Sequence, residues 1–124
     1  MEDDMSEQKV SLVTGANSGI GFATAKALSA RGDRLIMVCR NEEKGRAAAR
    51  RIEDSTGNAP SLILGDLSII RDTKRVAREV LASVERLDVL VNNAGGYFPK
   101  RIESEEGLEL NLALNHMGYF VLTQ

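Results

Sequence analysis

The sequence holds a single cysteine, Cys39, and a single histidine, His116, in 124 residues. One cysteine cannot close an internal disulfide, which fits a reducing compartment and makes the cytoplasm the expected location. One histidine excludes a multi-histidine metal site, and one thiol excludes a thiolate cluster, so no metal is expected. No apolar run approaches the ~20 residues that a membrane span needs. The stretch from Met1 to Gln8 is acidic and polar, unlike a secretory signal. An excess of basic charge is lacking as well: 16 Lys and Arg stand against 18 Asp and Glu, a net charge of −2. That balance argues against a general polyanion binder, so no nucleic-acid partner is expected, while one local anion site stays open.

What is present is ordinary for a globular chain. Hydrophobic residues make up 43%, charged residues 27%, and there are 11 glycines, which together point to one folded domain. Lys9 to Thr14 is short, β-branched and apolar and runs into Gly15, the pattern of a strand and a turn. From Gly19 the period changes: Ile20, Ala23, Thr24, Ala27 and Leu28 fall at helical spacing, with Gly32 as a stop. Arg34 to Cys39 is apolar without alternation, as in a strand buried on both faces. Asn41 can cap a second helix, with Glu42 and Glu43 in its positive first turn, ending near Ser55. Ser61 to Gly65 gives a third strand. Ser68 is the expected cap of a third helix, whose buried face is Val76, Ala77, Val80, Leu81 and Val84. Leu87 to Val91 gives a fourth strand, Gly95 to Pro99 a loop, and a last helix is expected from near Ser104. Strands and helices alternate singly with short links. This implies an α/β fold, a partial doubly wound parallel sheet of Rossmann type with strand order 3-2-1-4.

Gly15, Gly19 and Gly21 lie between the first strand and first helix. Glycines let backbone amides approach a phosphate with no Cβ in the way, and the helix start supplies unpaired N–H groups and partial positive charge. The spacing is G-x-x-x-G-x-G rather than the G-x-G-x-x-G of the common dinucleotide fingerprint. A tight turn built only for packing would also use small residues. Thr14 and Ser18 beside the three glycines favour an anion site, with a pyrophosphate as its natural guest.

These residues carry a resemblance. Thr14-Gly15-Ala16-Asn17-Ser18-Gly19-Ile20-Gly21 is similar to the cofactor signature of the short-chain dehydrogenase/reductase family. Asn92-Asn93-Ala94-Gly95 resembles that family's second signature, Asp66-Leu67 its adenine-contacting pair, and Asn115-His116-Met117-Gly118-Tyr119-Phe120 the segment holding its catalytic asparagine. The four motifs come in family order. Cys39-Arg40-Asn41 with Lys44-Gly45 resembles the retinol-dehydrogenase-like branch. The resemblance implies a nicotinamide dinucleotide as cofactor and a carbonyl or alcohol substrate. Residues 1–8 are then a flexible acidic N-terminus and 9–124 one NAD(P)-binding domain.

Within that resemblance, each candidate residue has an expected role. Thr14, Gly15, Asn17, Ser18, Gly19, Ile20 and Gly21 belong to the phosphate turn. An acid at the end of the second strand would favour NAD, but Cys39 and Arg40 stand there. The Arg40 guanidinium can bond a 2′-phosphate in a forked, charge-assisted way, so NADP(H) is expected over NAD(H). A strand-end arginine that merely reaches solvent is the plainer alternative. Asp66 is expected to accept a bond from the adenine amino group, with the backbone of Leu67 beside it. Asn93, Ala94 and Gly95 are placed with the cofactor site, the last two letting the nicotinamide ribose approach the backbone. Asn92 is expected to tie the fourth strand to its neighbours. The resemblance implies that Asn115 holds a water in a proton relay. His116 points about 100° away from it and reads as a packing residue. Cys39 reads as a small apolar filler.

Family catalysis uses a serine and a tyrosine with a lysine four residues later. Neither Tyr97 nor Tyr119 has that lysine. The expectation is therefore the N-terminal portion of an oxidoreductase, truncated before its Tyr-x-x-x-Lys segment and inactive alone. The alternative is a stand-alone, non-catalytic nucleotide-binding or interaction module. The fourth strand is an expected open edge, which a second copy could cover.

Overall fold

The computed structural model describes residues 8–17 and 19–93. Its elements are β1 (Val10–Thr14), α1 (Gly19–Ala30), β2 (Arg34–Cys39), α2 (Glu42–Thr56), β3 (Ser61–Leu64), α3 (Ile70–Ser83) and β4 (Val89–Val91). The loop expected at Gly95 to Pro99 and the helix expected from Ser104 lie outside the described residues. The four strands form one parallel sheet in the order β3-β2-β1-β4. This is the expected doubly wound half-sheet.

The unbroken apolar run of β2 is resolved by its pleat. Leu35, Met37 and Cys39 enter one core with Val13, Ala16, Ala25, Ala48 and Ile52, the side covered by α1 and α2. Ile36 and Val38 enter a second core with Leu12, Leu67, Val76 and Val80, the side covered by α3. A strand flanked by helices on both faces has no solvent side to mark with polar residues. Each fully buried aliphatic side chain here contributes about 2 kcal/mol.

Helix α2 follows its sequence signals closely. The Asn41 side chain accepts the Lys44 N–H at 2.8 Å, and Gly57, at φ 79°, closes the other end by donating to Glu53 O at 2.8 Å. Three expectations are corrected. In α1 the buried positions are Gly21, Ala25 and Ser29, while Ile20 is 79% exposed. The helix is small and apolar nearly all round, so its smallest stripe, which lets it approach the sheet closely, faces inward. In α3 the N-cap is Ile69 with no side-chain cap bond, because the Ser68 hydroxyl donates to Asp66 Oδ1 at 2.6 Å instead. Its buried stripe is Thr73, Val76 and Val80, and Leu81 stands 78% exposed.

The two edges of the sheet differ. At the edge where strands begin, buried Asp33 accepts hydrogen bonds from the Ser11 hydroxyl and from Arg31. Asp88 there accepts the Val10 N–H at 2.8 Å and pairs with Arg86. No helix among the described residues is long and apolar enough to cross a membrane.

Candidate functional site

The edge where the strands end gathers the singled-out residues. The register places Thr14 beside Val38, Cys39 beside Leu64, and Val13 beside Val91, so all four strands finish at one level. Hydrogen bonds extend the ladder past the strands: Gly15 N–H donates to Val38 O at 2.9 Å and Gly65 N–H to Cys39 O at 3.0 Å. Asp66, Arg40, the glycine turn and Asn93 therefore follow one another across the sheet in strand order. At normal interstrand spacing that row is about 14 Å long. In open α/β sheets this is the edge where ligands bind.

The turn from β1 into α1 brings together Thr14, Gly15, Asn17, Gly19, Ile20 and Gly21. Gly15 and Gly19 have φ of 63° and 60°, the left-handed region that glycine enters without strain. Around the position a Gly19 Cβ would take, nothing among the described residues lies within 4 Å. Among the described residues the turn is thus open on the Gly19 side. Gly21 serves the opposite purpose: a Cβ there would lie 2.2 Å from Gly15 O and 2.4 Å from Asn93 Nδ2.

That contact exposes a structural tie made by Asn93, which sequence reasoning placed only with the cofactor site. Asn93 Nδ2 donates to Gly15 O at 3.2 Å, and the Asn93 N–H donates to Thr14 Oγ1 at 2.9 Å. Thr14 Oγ1 in turn donates to Val91 O at 3.3 Å. Asn93 and the buried Thr14 hydroxyl thus lock β4 to the glycine turn.

Arg40 is exposed at the end of β2, and none of the ion pairs among the described residues includes it. Cys39 before it is buried, and burial pushes its thiol up against the smaller opposing effect of a bond from the Ala16 backbone. A neutral, buried thiol is a packing group, not a nucleophile. Asp66 follows β3, half-buried, while the Leu67 side chain is a core residue at 4% exposure. Ser18, Ala94, Gly95 and Asn115 lie outside the described residues. No group of three or more His, Cys, Asp or Glu suited to a metal ion occurs among the described residues.

Comparison with known proteins adds to this geometry. The family model for short chain dehydrogenases matches residues 9–124. Retinol dehydrogenase 11 of Homo sapiens is 42% identical over 116 residues, which cover 93% of this chain and 36% of that protein. Retinol dehydrogenase 13 of Homo sapiens is 41% identical over 119 residues, covering 93% and 35%. The chain thus spans about a third of the length of these curated relatives. Among solved structures, a short-chain dehydrogenase from Sphingobium yanoikuyae in complex with NADPH superposes with a TM-score of 0.78 at 32% identity, covering 93% of this chain and 45% of the other. L-sorbose reductase from Gluconobacter frateurii, complexed with NADPH and L-sorbose, gives a TM-score of 0.81 at 28% identity, covering 94% and 45%.

Proposed function

The chain belongs to the short-chain dehydrogenase/reductase family, with relatives of retinol-dehydrogenase type, and from that premise we propose that it is the cofactor-binding portion of an NADP(H)-dependent oxidoreductase. The reaction is hydride transfer between the nicotinamide and a carbonyl or alcohol. The observation that carries this reading is the glycine turn: open above Gly19, left-handed at Gly15 and Gly19, and pinned from below by Asn93. A turn of that shape at the start of α1 suits a diphosphate, which meets backbone N–H groups and the positive end of the helix dipole.

The remaining residues divide the dinucleotide along the sheet edge. Asp66 takes the adenine amino group, with the Leu67 backbone beside it. Arg40 takes the 2′-phosphate of the adenosine ribose. Thr14, Gly15, Asn17, Ser18, Gly19, Ile20 and Gly21 form the diphosphate cradle. Asn93, Ala94 and Gly95 take the nicotinamide ribose, and Asn115 joins the proton relay at the reacting end. The bound nicotinamide supplies or accepts the hydride. General acid-base chemistry requires a group within hydrogen-bond reach of the reacting oxygen. Within these 124 residues neither tyrosine is followed four positions on by lysine.

Preference for NADP(H) is supported by Arg40 at the end of β2, where no carboxylate stands to repel a phosphate, and by relatives crystallised with NADPH. The test is titration of the chain with NADPH and NADH. Arg40→Asp raises the Kd for NADPH by about tenfold or more, the scale of a charge-assisted hydrogen bond, and leaves NADH nearly unchanged. Equal losses for both nucleotides would contradict the assignment.

A further inference from the structure

The link between β3 and α3 is braced by two side chains that the proposed cofactor site does not use. Arg75, on α3, donates from Nη2 to Leu64 O at 2.6 Å, from Nε to Asp72 Oδ1 at 2.8 Å, and from Nη1 to Glu79 Oε1 at 2.9 Å. The second oxygen of Asp72 accepts the Asp66 N–H at 2.6 Å. Asp66 Oδ1 accepts both the N–H and the hydroxyl of Ser68, at 3.0 and 2.6 Å. Between these anchors, Gly65 lies so close to α3 that a Cβ would stand 2.4 Å from Val76 Cγ2. The backbone from Leu64 to Asp66 is therefore held from α3 at both ends, and Ser68 is tied to it through the Asp66 side chain.

Ile69 has no side chain to cap α3, and Asp72, three residues later, reaches back as in a capping box. It reaches past the N-cap to Asp66. Burial pushes the Asp72 carboxyl up, but bonds from Arg75 and the Asp66 N–H and the nearby arginine charge outweigh it and hold it below the usual range. Asp72 is thus a charged acceptor at neutral pH. The outcome is an Asp66 carboxylate with one oxygen fixed on Ser68, while Oδ2 accepts nothing among the described residues.

We propose that Asp72 and Arg75 are positioning residues for base recognition: they set the Asp66 carboxylate so that its remaining oxygen accepts the exocyclic amine of an adenine. This rests on the proposed reading of Asp66 as the adenine contact. It assigns the pair a part in nucleotide selectivity, beyond holding α3 to the sheet.

The test compares NADPH with its hypoxanthine analogue, in which an oxygen replaces the 6-amino group. Dissociation constants are measured on the full chain, with folding checked by circular dichroism. The wild-type chain favours NADPH by about tenfold, one hydrogen bond to a charged group, and Asp66→Ala brings the ratio to about one. Arg75→Met and Asp72→Ala bring the ratio most of the way to one, and Arg75→Lys restores part of it. If Arg75→Met does not fold, Asp72→Asn and Arg75→Lys give the same readout with smaller changes. Variants that weaken both nucleotides by one factor, or leave both unchanged, overturn the proposal, since a purely structural brace does not move the ratio. A wild-type ratio of one refutes the Asp66 contact and this proposal with it. A wild-type chain that binds neither nucleotide refutes the cofactor reading itself.

Discussion

Residue 21 shows how much one absent methyl group can decide. Alanine is intrinsically better in a helix than glycine by about 1 kcal/mol, so by propensity alone Gly21→Ala would stabilise α1. The position argues the opposite, because the methyl would overlap both Gly15 O and Asn93 Nδ2. Overpacking of this kind costs about 1–3 kcal/mol, and here the neighbours are a backbone carbonyl and the amide bonded to it. Gly21→Ala is expected to lower stability by about 1 kcal/mol net and to abolish nucleotide binding. Urea unfolding together with NADPH titration checks both, and a variant as stable as wild type would show that the close approach is not needed. The sequence suggested Gly21 as a phosphate-turn residue. Its tight packing against Asn93 was out of reach, because the partner lies 72 positions away.

At the scale of elements, α2 is fastened by its own sequence. Its N-terminal bond from Lys44 N–H to the Asn41 side chain satisfies one of the free amides of the first turn. The Glu42–Arg46 pair, at 2.9 Å, is exposed on both sides and adds little. Asn41→Ala is expected to cost about 1 kcal/mol and Asn41→Ser almost nothing, read as the difference between their urea midpoints. Because Arg40 directly precedes the cap, the same substitution also loosens the proposed 2′-phosphate contact. Signals such as Asn41 and Gly57 are local, which is why α2 was legible nearly to the residue. The same holds for β2, whose apolar run needs covered faces on either side. Helix α1 was legible in extent but not in orientation, since Ala23, Ala27 and Leu28 look as buriable as Ala25. The start of α3 was misread because a serine before a helix usually caps it, whereas the Ser68 hydroxyl is taken by Asp66. Asp72 and Arg75, an i,i+3 pair, brace the same link, and the reach of Arg75 to Leu64 O has no local sequence signal.

For the whole molecule, acid stability follows from the edge opposite the candidate site. Bonds from Arg31 hold the Asp33 carboxyl below the ordinary aspartate range, against burial, with the Ser11 hydroxyl assisting. A carboxyl depressed in the folded state contributes stability that is present above its unfolded pKa. That stability is lost as pH falls through the folded value. Asp88 at the same edge moves the same way, chiefly through the Val10 N–H, and Asp72, at the candidate-site edge, adds to the effect. The chain is therefore expected to lose stability progressively as the medium is acidified below about pH 4. Asp33→Asn should flatten part of that decline and cost on the order of 1 kcal/mol at neutral pH. The figure is small because the Arg31 side chain is 51% exposed and its charge is screened. Urea midpoints measured from neutral to acid pH decide it: an unchanged slope in the variant would show that Asp33 is not a source of the decline.

The Asn93–Gly15 tie, across 78 positions of sequence, also has a bearing on how the protein is made. A ribosome releases the glycine loop early and its fastening late, and joining them requires a long, entropically costly closure. The first three strands can assemble while that loop still lacks its final shape. The proposed coenzyme cradle is thus complete only once β4 has joined the sheet and Asn93 has closed on the turn.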